Sequence, residues 1–309
     1  MSMAEAASIR AGTHKRRTRG LPERRLAWLM VSPSIALIAL VAAWPIIYAL
    51  WLSLHEYSLI RAGVSRWASP AGFGNYLDAF KDGEFWHALS TTLIFTVASV
   101  GLETLLGLGM ALAMHAAFKG QGLLRTVVLV PWAVLTVVTA IMWRSIVDAN
   151  LGFVNTLFAT KTVWLGEEPQ ALIVMIIADV WKTAPFMALL LLAGLQGIAA
   201  DVYEAAKVDG ATAWQRFRKI TLPLLRPALL VALIFRTLDA LRIFDLPKVL
   251  TNGANGTTSL SLLAQRTFQE NRLYGEGATL SVLTFLLVMF VSFAYIRLVG
   301  GNLRGMTER

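Results

Sequence analysis

The sequence contains no cysteine, which excludes a disulfide, a thiolate metal site and a cysteine nucleophile. Charge is also scarce, at 15% of 309 residues, well below the quarter usual for soluble domains. Its four histidines, His14, His55, His87 and His115, are scattered without metal-ligand spacing. There is no Gly-x-x-x-x-Gly-Lys-Ser/Thr run, so the chain has no phosphate-cradling loop and is not itself an ATPase. A Gly-x-Ser-x-Gly nucleophile elbow is missing too, and no carboxylate pair outside the apolar segments suggests hydrolytic chemistry. No internal repeat is visible, and no polar stretch is long enough for a separate soluble domain.

What is present is apolar. Hydrophobic residues make up 56% of the chain, and the mean hydropathy is +0.61. Six segments, at 27–52, 89–115, 124–147, 171–195, 223–249 and 279–300, reach the roughly 20 residues needed to cross a bilayer. The expected fold is therefore an all-α integral membrane protein with six transmembrane helices. A basic arm (1–25) precedes a membrane domain (26–300), and a short tail (301–309) follows it. Pro33 and Pro45 are expected to kink the first span.

The net charge of +9 would suit a nucleic-acid binder if it were clustered on a folded face, but its distribution follows membrane topology instead. The arm carries Arg10, Lys15, Arg16, Arg17, Arg19, Arg24 and Arg25 among small polar residues, a solvated cytoplasmic segment able to meet anionic lipid. A signal peptide does not fit, since the apolar run that follows is too long and no small-residue cleavage site ends it. With the arm inside, seventeen basic residues fall on the cytoplasmic side and six (Arg61, Arg66, Lys81, Lys161, Arg266 and Arg272) on the other. The expected location is the plasma membrane, multi-pass, with both termini in the cytoplasm. The loop at 55–88 becomes external and carries Asp78, Asp82 and Glu84. The Thr251–Gly277 loop, opening Thr-Asn-Gly-Ala-Asn-Gly-Thr-Thr, is expected to be a flexible turn.

Ionisable side chains within spans are costly, about 2.5–3.5 kcal/mol each on insertion scales, and so face a cavity or a partner. Asp179 and Lys182 share a face of the fourth span, with Thr183, Pro185 and Phe186 following. In the fifth, Arg236, Asp239, Arg242 and Asp245 recur every third residue with alternating sign. Two readings fit: mutually neutralising structural pairs, or the lining of a hydrophilic path. Glu103 in the second span is expected to pair within the bundle, while His115 and Arg144 sit near span ends where they can snorkel. Trp132 and Trp143 read as packing or interface aromatics.

The stretch from Glu204 to Pro223 is polar and basic between two apolar segments. It reads as two short helices broken at Gly210, the second capped by Thr212, with Trp214, Phe217 and Ile220 at a spacing of three. Leu222-Pro223 is expected to end this element and start the next span. The order Glu204-Ala205-Ala206, two residues, Asp209-Gly210-Ala211, then Ile220-Thr221-Leu222-Pro223 resembles the E-A-A loop of bacterial ABC importer permeases, the inner-membrane components of binding-protein-dependent transport. The external Gly72-Phe73-Gly74-Asn75-Tyr76 segment and the run Phe235 to Asp245 are similar to permeases of the carbohydrate class, the maltose and trehalose type.

That resemblance implies a six-span permease whose loop at 196–223 couples to an ATPase. Glu204, Ala205, Ala206, Asp209, Gly210, Ala211 and Phe217 would form the coupling surface. It implies a second permease subunit, two ABC ATPase subunits that bind ATP and Mg, an extracytoplasmic sugar-binding lipoprotein, a sugar as cargo, and no cofactor or catalysis on this chain. By distance from the loop, Asp179, Lys182, Thr183 and Phe186, then Arg236, Ala240 and Ile243, fall where maltose-type permeases contact sugar. Asp239 and Arg242 join them through their spacing with Arg236. Two other functions stay open: an importer of glycerol phosphate or another anion, suggested by Arg236 and Arg242, and an ion-driven carrier with Asp179, Asp239 and Glu103 as relays. A membrane scaffold would leave the loop unexplained.

Overall fold

The computed structural model describes residues 23–59, 68–116 and 120–307; the arm expected over 1–25 lies almost wholly outside them. The chain divides into two units, Met1–Tyr48 and Ala49–Arg309. In the first, helix α1 (Glu23–Ser53, which runs on into the second unit) continues through Pro33 and Pro45, and its large apolar side chains from Leu26 to Tyr48 are exposed.

Among its described residues the second unit is mostly helical, with one pair of two-residue antiparallel strands, β1 (His55–Glu56) and β2 (Ser69–Pro70). Its helices are α2 (Gly74–Lys81), α3 (Gly83–His115), α4 (Gln121–Ala133), α5 (Thr136–Ile146), α6 (Phe153–Phe158), α7 (Gln170–Gln196), α8 (Ala200–Val208), α9 (Ala213–Arg216), α10 (Leu222–Ala240), α11 (Asp245–Leu250), α12 (Leu260–Gln265) and α13 (Tyr274–Thr307). Among the described residues, five helical rods are long and apolar enough to cross a membrane: Arg24–Ser53, Gly83–His115, Gln170–Gln196, Ala213–Ala240 and Tyr274–Tyr295. A sixth crossing exists if α4 and α5 are taken together, but they meet at 91°. The span expected over 124–147 is therefore a broken one. Pro131 removes a backbone donor in the last turn of α4, where a new helix direction can begin after Val134-Leu135.

The fifth span also differs from expectation. Helix α10 stops at Ala240, and α11 starts afresh at Asp245 after the turn Leu241–Phe244. The row Arg236, Asp239, Arg242, Asp245 is thus cut in half and does not run along one helix. At its other end, Leu222-Pro223 does not end the coupling element. Helices α9 and α10 are joined by a wide π turn over Phe217–Thr221, with the Leu222 N–H donating to the Phe217 carbonyl. A wider turn relieves the clash a proline ring makes with the carbonyl four residues back, so Pro223 is tolerated inside a continuous rod. Helix α13 likewise runs through Thr307, into the stretch expected as a tail.

Helices α3 and α7 run parallel and pack most extensively; α10 crosses both in the opposite direction. Inside lipid, apolar burial gives helices little reason to associate, so close packing of small residues carries the pairing. At Gly107 a Cβ would lie 2.6 Å from Met187 Cγ, and at Gly194 it would lie 2.4 Å from Ala228 Cβ. Gly194→Val is expected to prise α7 from α10 and cost about 1–3 kcal/mol by overpacking. A fall in the melting temperature of the detergent-solubilised protein, with Gly109→Val as the unstrained comparison, checks this, since a Cβ at Gly109 meets nothing within 4 Å.

Where α3 and α13 begin, a lobe forms around an apolar core of Phe85, Ala88, Leu260, Leu263, Ala264 and Leu280. The loop expected to be a flexible turn is an ordered part of it. Thr257 and Ser259 are buried. The Gly256 carbonyl accepts from Thr91 Oγ1 at 3.2 Å, the Leu260 N–H donates to Thr92 Oγ1 at 3.0 Å, and Asn255 Nδ2 donates to the Leu165 carbonyl at 2.7 Å. Asn252, Gly253, Asn255 and Gly256 all take positive φ, which is what this composition serves. Lys248 donates to Glu270 and holds that carboxyl below its usual range, tying α11 to the turn before α13.

Candidate functional site

The charged residues of α3, α7 and α10 converge on one guanidinium. Arg236 Nε donates to Glu103 Oε2 at 2.5 Å and Nη2 to Glu103 Oε1 at 2.7 Å, a bidentate clamp. Nη2 also reaches Asp179 Oδ2 at 3.0 Å, and Nη1 donates to Asp239 Oδ2 at 2.5 Å. Thr183 Oγ1 closes the set, bonding both Glu103 Oε1 and the Asp179 carbonyl at 2.6 Å. The side chains of Arg236, Glu103 and Asp179 are 3%, 0% and 9% exposed, whereas Asp239 is 72% exposed. One cation serves three carboxylates, and only the last of them meets the surface.

Depth explains why this arrangement is needed. Asp179 lies nine residues into α7, about 13 Å from its start at 1.5 Å per residue. A lone charge there would be expensive, and a bidentate guanidinium is the group best shaped to hold two buried carboxylates. The break at Ala240 sits one residue beyond Asp239, so the exposed carboxylate stands at a helix end.

The other expected site residues divide. Ala240 is buried and closes the end of α10. Ile243 is half-buried, and its carbonyl accepts from Ser259 at 2.7 Å. Arg242 is exposed, its Nε donating to the Leu238 carbonyl at 3.2 Å, and does not join Arg236. Lys182 is half-exposed and, among the described residues, forms no ion pair with Asp179 three positions away. Phe186 stacks on Trp132 with ring centres 5.5 Å apart and planes at 13°, beside the break between α4 and α5. Glu103 is the residue whose importance sequence reasoning understated. Its signal was there: the one carboxylate beyond the first turn of a 33-residue apolar helix has to be paired.

The polar stretch between α7 and α10 folds as its residues dictate. Helix α8 ends in a Schellman pattern, with Gly210 at φ 76°, its N–H donating to Lys207 at 3.0 Å and the Ala211 N–H to Ala206 at 2.9 Å. Thr212 and Gln215 form a reciprocal capping box that starts α9. Trp214 stacks on Phe217 at 5.5 Å, and Tyr203 bonds Thr221 at 3.0 Å, linking α8 to the π turn. Glu204, Ala205, Asp209 and Gly210 are exposed, Ala206, Ala211 and Phe217 partly so. This chain thus offers a hydrated, pre-shaped surface at the end opposite the lobe.

Residues 104–304 match the family model described as the binding-protein-dependent transport system inner membrane component. The chain belongs to that family. The family anticipated from Glu204 to Pro223 is the one found, and this inner membrane component is a multi-pass permease subunit, not an enzyme. It is 44% identical over 283 residues to the trehalose/maltose transport system permease protein MalF of Thermococcus litoralis, spanning 89% of this chain and 94% of that protein. It is 43% identical to the trehalose transport system permease protein SugA of Mycobacterium tuberculosis, spanning 92% of each. Among solved structures, a bacterial alginate ABC transporter in complex with an alginate pentasaccharide-bound periplasmic protein matches with a TM-score of 0.77 at 20% identity, over 89% of this permease and 94% of that chain. The likeness to it establishes the all-α permease fold.

Proposed function

We propose that this permease is one transmembrane subunit of an ATP-driven importer for a neutral disaccharide of the trehalose and maltose type. The observation that carries the reading is the identity of 43–44%, along nearly the whole chain, to two permeases named for transport of those sugars. It pairs with a second permease, two ATPase subunits that hold ATP and Mg, and an extracytoplasmic sugar-binding lipoprotein. The termini and the Glu204–Pro223 loop face the cytoplasm, consistent with the excess of basic residues on that side. The loop docks on an ATPase subunit through Glu204, Ala205, Ala206, Asp209, Gly210, Ala211 and Phe217. Closure of the ATPase dimer moves it as a rigid body, and the spans rock between outward- and inward-facing states.

The cargo path passes Asp239 and the Trp132–Phe186 pair. A carboxylate accepts from sugar hydroxyls, and an aromatic face packs on the C–H face of the ring. The Arg236 half of the case for an anionic solute weakens, because four of the five N–H donors of Arg236 are already bonded to carboxylates. The guanidinium is not free for phosphate. ATPase stimulation of the reconstituted importer by binding protein loaded with trehalose or maltose, but not with glycerol 3-phosphate, is the expected result. Stimulation by the phosphate ester alone would overturn the neutral-sugar reading.

A further inference from the structure

The cluster has a direction: four buried groups, Glu103, Asp179, Thr183 and Arg236, bear on one exposed carboxylate, Asp239. Glu103 is fully buried, yet it takes two of the four hydrogen bonds Arg236 makes. Asp179 and Thr183 hold the same assembly from α7. The remaining donor, Nη1, grips a single oxygen of Asp239, Oδ2. Asp239 lies three residues from Arg236 at the end of α10, on the far side of the guanidinium from Glu103. A carboxylate 72% exposed at this depth cannot face hydrocarbon without heavy cost, so it faces a hydrated path or a polar partner surface.

Resting on the sugar-importer reading, we propose that Glu103 is a positioning residue for cargo recognition, acting through Arg236 to fix the carboxylate of Asp239. Clamped from α3, Arg236 cannot swing with the end of α10, and Asp239 Oδ2 is pinned to it. Asp239 Oδ1 is left as an acceptor of set direction, suited to a hydroxyl donor of a neutral sugar. Without Glu103 the guanidinium is held by Asp179 alone within the core and is drawn outward toward Asp239. The carboxylate then loses its fixed aim, and the same residues bind the same sugar less well. Glu103 touches no cargo in this scheme.

The test is a double-mutant cycle in the complete importer, with partner permease, ATPase subunits and binding protein in proteoliposomes, using radiolabelled trehalose. Asp239→Asn is expected to raise the KM of uptake about tenfold, and Glu103→Gln about five- to tenfold, with kcat within about twofold in both. Because one acts through the other, the double variant should be no worse than Asp239→Asn alone, a coupling that a merely structural role for Glu103 does not produce. If Glu103→Gln fails to assemble, Thr183→Val, which removes only the hydroxyl that donates to Glu103, should give a smaller KM rise that also vanishes in the Asp239→Asn background. Independent, multiplying effects, or a loss confined to kcat, overturn the positioning role while leaving the importer reading intact. No effect of Asp239→Asn on KM overturns it as well, by removing Asp239 from the path. Absence of trehalose uptake by the wild-type importer is the separate result that refutes the sugar reading itself.

Discussion

Gly210→Trp is expected to abolish ATP-driven transport while leaving the permease inserted and as stable as the native protein to within a small strain. Gly210 sits at φ 76°, where a side chain costs about 1–2 kcal/mol in a right-handed world of L-residues. Yet a Cβ there meets nothing within 4 Å in this chain. An indole at this point therefore disturbs little inside the permease and projects from the turn between α8 and α9. If that turn docks on an ATPase subunit, the added bulk blocks the approach that Ala205, Ala206 and Gly210 leave open. Gly210→Ala supplies the comparison, bearing the same backbone strain without the bulk, and should retain most activity. Uptake and co-purification of the ATPase subunit, measured together, separate the two effects. Full transport by the tryptophan variant would refute the docking role.

Arg236→Ala should have the largest effect on the permease alone. Removing the guanidinium leaves Glu103 and Asp179 facing each other across α3, α7 and α10 with no cation among the described residues bonded to either. Breaking a buried pair in this way costs about 3–5 kcal/mol, because a desolvated charge is left behind. The variant is expected to melt far below the native protein in detergent, or to fail to accumulate in the membrane. A compensating triple variant, Glu103→Gln with Asp179→Asn and Arg236→Met, removes the charges together and should recover most of the melting temperature. It should not recover the native KM of uptake, since Asp239 is then left without its anchor. Equal destabilisation of the single and triple variants would mean that shape, not charge, holds these helices.

The fold was legible where composition dominates and obscure where single residues redirect the backbone. Long apolar runs marked α7 to within one residue and α3 and α13 less closely, since a helix that satisfies all its own hydrogen bonds is the natural answer in lipid. The order of Glu204 to Pro223 foretold the break at Gly210 and the cap at Thr212 because each needs one residue type at one place. Hydropathy does not register direction, so the 91° bend after α4 and the stop at Ala240 were invisible to it. The Thr251–Gly277 loop reads as flexible because the glycine and asparagine at its start permit many conformations. Its order comes from Thr91 and Thr92, more than 160 residues away in the chain.

For the ion cluster, spacing identified Asp179 and Arg236 as costly charges needing an explanation. It favours partners along the same helix, which holds for Asp239 and fails for Arg242. The principal partner of Arg236 proved to be Glu103, 133 positions earlier and on another helix. Pairing across helices depends on which faces meet, and Gly107 and Gly194 set those faces by allowing close approach. A lone carboxylate in an apolar span is a sign that some distant cation must exist, without saying which.

The most direct test of the central claim is uptake of radiolabelled trehalose into proteoliposomes holding this permease, its partner permease, the ATPase subunits and the binding protein. The account predicts uptake that requires internal ATP, external binding protein and all subunits together, and that is competed by maltose rather than by glycerol 3-phosphate. Uptake by this chain alone, driven by an ion gradient and indifferent to ATP, would contradict it.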